Sequence, residues 1–354
     1  MSTIALSRSS TLDSAAAAVD PVIQTLPSAY MLRTALPLDG QLAQQIHRQR
    51  QQIRAIVHGH DPRLLVITGP CSLHHGPAAV EYGGRLADLA DELRDRLLIV
   101  MRAYVEKPRT TVGWKGLMYD PDLNGSDDMQ AGLELSRSLM LELVGLGLPL
   151  ANEMLQPMAA HYFSDLLSWV AIGARTSESQ IHRELVSSLD VPVGFKNGTD
   201  GSLGVACDAI CSAAHPHRYF GIDLRGRPAL IRSAGNTDSH LVLRGGRNGA
   251  NHHVEAIAQA RAQLVAAGVA PRLLVDCSHA NSGKDYARQP QVLEEVLAQR
   301  RAGNRDLFGI MLESNLHPGR QDLSTHLRYG VSITDGCLGW DETATLLRRA
   351  ADLA

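Results

Sequence analysis

The fold is decided by the stretch Leu64-Leu65-Val66-Ile67-Thr68-Gly69-Pro70-Cys71, an aliphatic and β-branched run that ends in Gly-Pro and is followed at once by a thiol. Three more side chains that bind metals stand at or just past the ends of short apolar runs, namely His279, Glu313 and Asp335. A fold that brings these distant residues together must gather the ends of many strands at one point. A parallel (β/α)₈ barrel does so, because its loops converge at the C-terminal mouth.

The rest of the chain repeats this pattern. Short aliphatic runs alternate with longer helical patterns, which indicates βαβ units around a buried parallel sheet. The candidate strands number eight, as in a TIM barrel, so we predict an α/β fold with a (β/α)₈ barrel. They are 64–67, 98–102, 150–153, 170–174, 193–196, 240–244, 273–276 and 309–313.

Two segments depart from the rhythm. Apolar runs on either side of Arg225-Gly226-Arg227 predict a β-hairpin inserted outside the barrel, at about 217–234. Residues 1–40 are poorly patterned, whereas the spacing of Leu42, Ile46 and Ile53 predicts an amphipathic helix over about 41–57. We therefore divide the chain into an N-terminal arm and helix, residues 1–60, and a barrel, residues 61–354.

Composition describes a soluble globular protein, with 44% hydrophobic and 20% charged residues. A net charge of −3 gives no support for binding to nucleic acid or to an acidic membrane. Five cysteines do not form a disulfide framework and suggest a reducing compartment. No apolar stretch reaches the roughly 18 residues of a membrane span, and the first twenty residues lack a signal-like apolar region. We expect a cytoplasmic protein.

Six cations fall at or just after predicted strand ends and would line one cavity of the barrel. Like charges repel strongly in a site of low dielectric constant, so this cavity needs anions. Arginine offers a planar fork for phosphate or carboxylate, and lysine a compact charge. The expected ligand is one multiply anionic small molecule, or two of them. The six are Arg102, Lys107, Arg109, Arg175, Lys196 and Arg244.

The four metal-binding side chains form a mixed set. One thiolate, one imidazole and two carboxylates suit a divalent transition metal better than Ca²⁺ or Mg²⁺, and an incomplete shell would act as a Lewis acid. The residues alone leave another interpretation open. A cysteine is often a small buried apolar residue, and a single histidine is more often structural than a ligand.

Motifs in order along the chain resemble class I 3-deoxy-D-arabino-heptulosonate 7-phosphate (DAHP) synthases, from about residue 40 onward. The stretches 282–286 and 313–315 most resemble the bacterial tyrosine-sensitive isoenzyme. The motifs are Gly69-Pro70-Cys71-Ser72, the segment from Arg102 to Gly116, Ile172-Gly173-Ala174-Arg175-Thr176, the segment from Gly194 to Gly201, Leu243-Arg244-Gly245-Gly246, the segment from Asp276 to Asn281, and Ser332-Ile333-Thr334-Asp335.

The resemblance implies the condensation of phosphoenolpyruvate (PEP) with D-erythrose 4-phosphate, the first step of the shikimate pathway. It implies that Cys71, His279, Glu313 and Asp335 hold a divalent metal (Mn, Fe, Co or Zn). It also implies that His279 and Glu153 are the candidates for proton transfer. By the same resemblance, Arg175 and Arg244 would bind the PEP phosphate, and Arg102 and Lys196 its carboxylate. Lys107 would stand between the two substrates. Arg109 and Thr110 would bind the erythrose phosphate.

The resemblance further implies a homodimer or homotetramer with a regulatory N-terminal region. An aromatic amino acid, tyrosine first, would bind near the hairpin, at Leu185, Leu189, Phe220 and Ile222. Cys337 stands two residues past Asp335, so oxidation to a Cys71–Cys337 disulfide is a hypothesis. Three other functions stay open: a synthase that uses a five-carbon sugar phosphate, an inactive amino-acid-binding paralogue, and a metal-dependent hydrolase on the same fold.

Overall fold

The computed structural model describes residues 24–353. In this part of the chain the strands are β1 (Leu64–Gly69), β2 (Leu97–Arg102), β3 (Leu150–Glu153), β4 (Trp169–Ile172), β5 (Val193–Lys196), β6 (Arg218–Ile222), β7 (Pro228–Arg232), β8 (Ser239–Leu243), β9 (Leu273–Asp276) and β10 (Leu307–Glu313). Eight of them close a parallel barrel in the order β1-β10-β9-β8-β5-β4-β3-β2, while β6 and β7 form a separate antiparallel pair. The predicted barrel and its inserted hairpin are confirmed.

The helices surround this barrel. They are α1 (Ala29–Ala35), α2 (Gly40–Val57), α3 (Gly76–Glu92), α4 (Met129–Gly145), α5 (Ala160–Phe163), α6 (Gln180–Ser188), α7 (Gly204–Ala213), α8 (Val254–Ala266), α9 (Gln289–Arg301) and α10 (Trp340–Leu353).

The barrel strands are buried along their whole length. Every residue of β1 and of β10 is buried, as expected for parallel strands covered on both faces. The runs predicted from sequence therefore coincide with the strands: β3, β5 and β9 begin and end where predicted, and the others differ by one or two residues at their ends.

Helix α2 closes the N-terminal end of the barrel. Its Ile53 and Ile56 are buried in one apolar cluster with Leu65 of β1 and Phe308 of β10. Arg50 donates hydrogen bonds to the carbonyl oxygens of residues 164 and 167, at the opening of β4. The helix thus packs as part of the barrel. The first 23 residues of the predicted arm lie outside the described residues.

A short helix, α1, lies in the segment that shows no sequence pattern. Ser28 caps it, because its hydroxyl accepts a hydrogen bond from the Met31 amide, and Leu32 anchors it in the core. The same segment contacts the turn of the hairpin: the Tyr30 amide donates to the Leu224 carbonyl at 2.8 Å. A helix of seven residues, about two turns, held by a cap and one buried leucine has too few periodic positions to be predicted.

The hairpin packs on α6 with one face and is exposed on the other. The Tyr219 hydroxyl lies 2.9 Å from Ser188 Oγ, and Ser187 donates to Ser233 at 2.7 Å. The opposite face carries Phe220, which is 81% exposed and pairs across the strands with Leu230.

Among residues 24–353, we find no helix with both the length and the apolar character needed to cross a lipid bilayer.

Candidate active site

The C-terminal ends of the barrel strands surround one cavity of about 300 Å³. Five of the six predicted cations line it, together with the carboxylates Glu153, Glu313 and Asp335. Positions more than 200 residues apart in sequence thus meet at one mouth, as the barrel geometry requires. The five cations are Lys107, Arg109, Arg175, Lys196 and Arg244.

Three of the four predicted metal ligands are brought together. The sulfur of Cys71 and carboxylate oxygens of Glu313 and Asp335 all lie within 4.8 Å of one another. The Lys107 ammonium lies among them, 2.9 Å from Cys71 Sγ and 2.6 Å from Asp335 Oδ2. The donor atoms thus surround a position that already holds a positive charge.

Burial and mutual charge set the protonation of this cluster. Burial, together with the Glu313 and Asp335 carboxylates, raises the pKa of the Cys71 thiol to about 11. Burial alone would lower the pKa of Lys107, but the charges of Cys71, Asp335 and Glu313 outweigh it and raise that pKa. A divalent cation that binds here must displace the thiol proton, which metal coordination achieves readily.

His279, the fourth predicted ligand, lines the same cavity but stands apart from the three-residue cluster. It adopts a positive φ of 55°, and its Nδ1 lies 2.9 Å from the buried Asp276 carboxylate. Burial opposes the charge of Asp276, but the nearby His279 and Lys196 hold its pKa well below the usual range. Ser278 Oγ donates its proton to Asp276 Oδ1 at 2.6 Å and lies 2.7 Å from His279 Nδ1, so Nδ1 carries the proton in that contact and Nε2 is left as the ligand atom.

Arg102, the sixth cation, lies beneath the cavity floor. Its side chain is only 1% exposed, and its guanidinium donates to Glu313 Oε1 at 3.1 Å and to the carbonyls of Pro70 and Cys71. It also stacks over the Tyr104 ring at 3.9 Å. The contacts of Arg102 hold the loop after β1 against the end of β10.

Lys196 is also buried at the floor, between two acids. Its ammonium lies 3.7 Å from Glu153 and 3.5 Å from Asp276. A side chain at Gly173 would overlap Glu153 Oε1, so the absence of a Cβ there makes room for the carboxylate. Three strands, β3, β5 and β9, each contribute one charge to this group.

The remaining cations lie toward solvent. Arg175 donates to Thr110 Oγ1 at 2.8 Å, which joins the loop after β4 to the loop after β2. Arg109 is exposed beside Gly113, where a side chain would clash with the guanidinium. Arg244 is half-buried, and its amide donates to Asn197 Oδ1 at 2.8 Å.

Two contributions were not predicted from the sequence. The buried Gln289 of α9 pairs with the backbone of Glu313, donating to its carbonyl at 3.0 Å and accepting from its amide at 2.8 Å. Lys284 also lines the cavity, with a positive φ of 64°. The first carries no sequence signal, because a glutamine on a helix resembles any surface glutamine. The second lies in the motif after His279 and follows a glycine.

Cys337 is fully buried, and burial raises the pKa of its thiol. Both thiols contact Asp335: Cys71 Sγ lies 3.5 Å from its carboxylate, and Cys337 Sγ lies 3.6 Å from its carbonyl oxygen. Both are free cysteines, and their oxidation to a disulfide stays a hypothesis.

The predicted effector residues fall in two environments. Leu185 is buried on α6, and Leu189 packs against the same core at the end of that helix. Ile222 is half-buried on β6, whereas Phe220 points to the exposed face of the hairpin. The described residues by themselves do not enclose Phe220.

Residues 42–348 match the DAHP synthetase I family. The chain belongs to that family. It is 52% identical to the tyrosine-sensitive phospho-2-dehydro-3-deoxyheptonate aldolase of Escherichia coli, over 92% of each chain. It is 45% identical to the phenylalanine-inhibited enzyme of the same name from Saccharomyces cerevisiae, over 91% of this chain and 89% of that one.

A solved structure of phospho-2-dehydro-3-deoxyheptonate aldolase from Francisella tularensis matches the fold with a TM-score of 0.92. That match covers 94% of this chain and 98% of the other, at 41% identity. The barrel, its decorations and its cavity are thus those of a DAHP synthetase I family member over nearly the whole described chain.

The donor set of this family member fits a divalent transition metal. Thiolate and imidazole favour such a metal over Ca²⁺ or Mg²⁺, and the carboxylates add the negative charge that a dication needs. The Lys107 ammonium beside Cys71 and Asp335 shows that these donors stabilise positive charge at this position.

Proposed function

We propose that this chain is a 3-deoxy-7-phosphoheptulonate synthase. It condenses PEP with D-erythrose 4-phosphate and water to give DAHP and phosphate, the first step of aromatic amino-acid biosynthesis. The observation that carries the proposal is the cavity itself, where a transition-metal donor cluster adjoins five cations. Two phosphates and a carboxylate match the cations, and an aldehyde matches a Lewis acid. A hydrolase would leave the cations without a role.

The substrate assignments are those that the resemblance implies, and depth in the cavity supports their order. Lys196 lies at the floor, with Arg102 beneath it, and these two take the PEP carboxylate, which is the deepest group. Arg175 and Arg244 take the PEP phosphate. Arg109 and Thr110 lie near the mouth and take the erythrose phosphate; these substrate residues are Arg102, Arg109, Thr110, Arg175, Lys196 and Arg244.

Lys107 stands between the two substrates. Its ammonium, fixed by Asp335 and Cys71, donates a hydrogen bond to the aldehyde oxygen and stabilises the negative charge that develops as C3 of PEP attacks the carbonyl. When bound by Cys71, His279, Glu313 and Asp335, a divalent metal (Mn, Fe, Co or Zn) supplies Lewis acidity at that oxygen.

Water then adds at C2, and the hemiketal loses phosphate by cleavage of the C–O bond. His279 and Glu153 are the two candidates to activate that water or to protonate the alkoxide. With a metal at His279 Nε2 that nitrogen has no free lone pair, so the Glu153 carboxylate is the group left free to take or give the proton. Asp276 orients His279 through the Ser278 hydroxyl, and Lys196 lies beside the charge of Glu153.

The test is phosphate release from PEP, with erythrose 4-phosphate or a five-carbon aldose phosphate as partner, with and without chelator. We expect release with the four-carbon aldose and its loss on chelation. Lys107→Ala is expected to lower kcat by 10²-fold or more, because it removes a preorganised donor to a developing oxyanion. Preference for the five-carbon aldose would overturn the substrate assignment, and no release with either would favour the inactive paralogue.

Feedback inhibition by an aromatic amino acid, tyrosine first, is part of the proposal. The names of the relatives support it, one being tyrosine-sensitive and another phenylalanine-inhibited. Leu185, Leu189, Phe220 and Ile222 near the hairpin are the proposed pocket, and the contact of Tyr30 with the hairpin supports a link to the N-terminal region. Unchanged rates with millimolar tyrosine, phenylalanine and tryptophan would refute feedback control.

We also propose that the chain forms a homodimer or homotetramer, with residues 1–60 serving regulation and assembly and 61–354 catalysis, and that it works in the cytoplasm. The exposed apolar pair Phe220 and Leu230 supports a subunit contact at the hairpin. Light scattering at several concentrations tests this, and a monomer throughout would contradict it.

A further inference from the structure

A cluster of two histidines and a glutamate lies outside the active-site cavity, where the loop after β8 meets α9. Nitrogen atoms of His252 and His253 and a carboxylate oxygen of Glu295 lie within 4.8 Å of one another. Glu295 Oε2 is 3.0 Å from His252 Nε2 and 3.1 Å from His253 Nδ1. Tetrahedral zinc with bonds of 2.0–2.1 Å places its ligand atoms about 3.3 Å apart. The measured separations are close to that spacing.

The hydrogen bonds around Asn281 limit the protonation states of His252. The Asn281 amide nitrogen donates to the carbonyls of Leu243 and Asp276, so its Oδ1 is the atom that faces the histidine. Oδ1 lies 3.5 Å from His252 Nδ1. In the neutral tautomer with the proton on Nδ1, the ring directs the lone pair of Nε2 toward Glu295 Oε2, as a metal ligand requires.

His252 Nε2 and His253 Nδ1 contact the same carboxylate oxygen of Glu295, at 3.0 Å and 3.1 Å. A proton on one ring satisfies one of these contacts, whereas a metal ion joins all three ligand atoms at once. His252 is only 5% exposed, and His253 is the N-terminal cap of α8, where the helix dipole opposes a positively charged ring.

The other atoms of the cluster are already oriented. Gln291 donates to Glu295 Oε1 at 3.3 Å, which leaves Oε2 toward the two rings. Gln299 donates to the His252 carbonyl at 2.8 Å and fixes the backbone that carries both histidines. Contacts of this kind orient metal ligands in proteins. His253 and Glu295 are 52% and 36% exposed, so the remaining coordination position faces solvent.

We propose that His252, His253 and Glu295 form a second divalent-metal site, with zinc as its occupant, separate from the active-site cluster. Two imidazoles and one carboxylate suit zinc. The site joins the N-terminus of α8 to the middle of α9. It also supports the loop from residue 244 to 253, since the Asn281 side chain that faces His252 accepts a hydrogen bond from the Asn251 amide at 2.8 Å. Zinc at this site would therefore hold the loop that carries Arg244.

The test counts zinc bound to the full chain after removal of metal with chelator and equilibrium dialysis against micromolar Zn²⁺. We expect two equivalents per chain in the wild type and one in His253→Ala, an exposed position where folding is not at risk. Glu295→Gln, which keeps the shape of the side chain, is expected to lose the same equivalent. Cys71→Ser should retain the equivalent that His253→Ala removes, which separates this site from the active-site metal.

His58→Ala is the matched control, because His58 also faces a carboxylate, Asp238, at 2.9 Å and is 40% exposed, but is part of no group of three close ligand atoms among the described residues. It should bind as much zinc as the wild type. Equal zinc content in the wild type and in His253→Ala would overturn the proposal, and would leave the cluster as an ion pair of Glu295 with protonated histidine.

Discussion

Replacing Gln289 by leucine tests how the protein holds a metal ligand from behind. The side chain is fully buried and makes two hydrogen bonds with the Glu313 backbone. Leucine has a similar volume but neither polar group. The Glu313 carbonyl would keep a second partner, the Leu338 amide at 2.9 Å, whereas the Glu313 amide would lose the Gln289 oxygen.

The size of the effect follows from that one amide. A buried donor without a partner costs about 1–3 kcal/mol, which corresponds to a factor of about 5 to 150 in an equilibrium constant. If the Glu313 peptide rotates so that its amide finds a new partner, the carboxylate leaves its position. Metal binding must then return it, so the same free energy is lost from metal affinity. Loss of contacts that orient a ligand typically weakens metal affinity by about 10–100-fold, which agrees with the first figure.

The assay measures phosphate release as a function of Mn²⁺ concentration after chelator treatment. We expect Gln289→Leu to need about 10–100-fold more metal for half-maximal rate, with kcat largely restored at saturation. That split separates a positioning role from loss of a catalytic group. Gln259→Leu, the same change at an exposed position of α8, is the control. If Gln289→Leu matched both the control and the wild type in metal affinity and in thermal stability, the reasoning would be refuted.

Three further changes test other parts of the site. Gly173→Ala places a Cβ on the Glu153 carboxylate, and we expect a loss of kcat/KM for PEP of about 10²-fold, as for a catalytic group displaced by 1 Å. Cys337→Ser should protect against inactivation by copper in air if a disulfide to Cys71 causes it. Burial raises the pKa of Glu106 to about 8. The protonated carboxyl therefore contributes folding stability that is fully present below the unfolded pKa of about 4.3 and is lost as the pH rises through 8. Glu106→Gln should flatten this decline of the melting temperature with pH.

Each of the three has an outcome that contradicts it. Gly204→Ala, at the start of α7 where a Cβ meets nothing within 4 Å, should keep full activity, and equal activity in both alanine variants would remove the steric argument. Finding both thiols alkylatable after copper treatment of the wild type would exclude the disulfide. If Glu106→Gln left the pH dependence of the melting temperature between pH 5 and pH 8 unchanged, this carboxyl would not be protonated in the folded chain.

The strands were predictable because burial leaves a local signal. A parallel strand covered on both faces must be apolar throughout, and at the mouth it must stop at a residue that tolerates polar surroundings. Glu153, Lys196 and Asp276 end three strands in this way, and the polar residue marked the end of each strand in the sequence. Short helix α1 gave no such signal, since a serine cap and one buried leucine hold it.

Most of the residues that line the cavity were predictable from the sequence, with Arg102 the exception beneath the floor, but the pairing between them was not. Sequence position placed Lys107 and Asp335 at one mouth, yet only the fold shows that the ammonium lies 2.6 Å from the carboxylate. Gln289 and His252 act through partners contributed by other helices and loops, so neither stands out in its own segment. Pairing across segments depends on packing, and a local pattern of residue types does not encode it.

The cations of the cavity differ with depth in whether the protein already neutralises them. This revises the expectation that all six require anions from the substrates. The cations at the floor are already neutralised by the protein: Arg102 by Glu313, Lys196 by Glu153 and Asp276, and Lys107 by Asp335. Toward the mouth, none of the three arginines forms an ion pair with a carboxylate among residues 24–353. Solvent screens their repulsion there, so they can stay charged and available. Multiply charged phosphates should therefore bind at the mouth, where the arginines neutralise their negative charge. The floor, whose cations are already paired, positions the reacting atoms. The three mouth arginines are Arg109, Arg175 and Arg244.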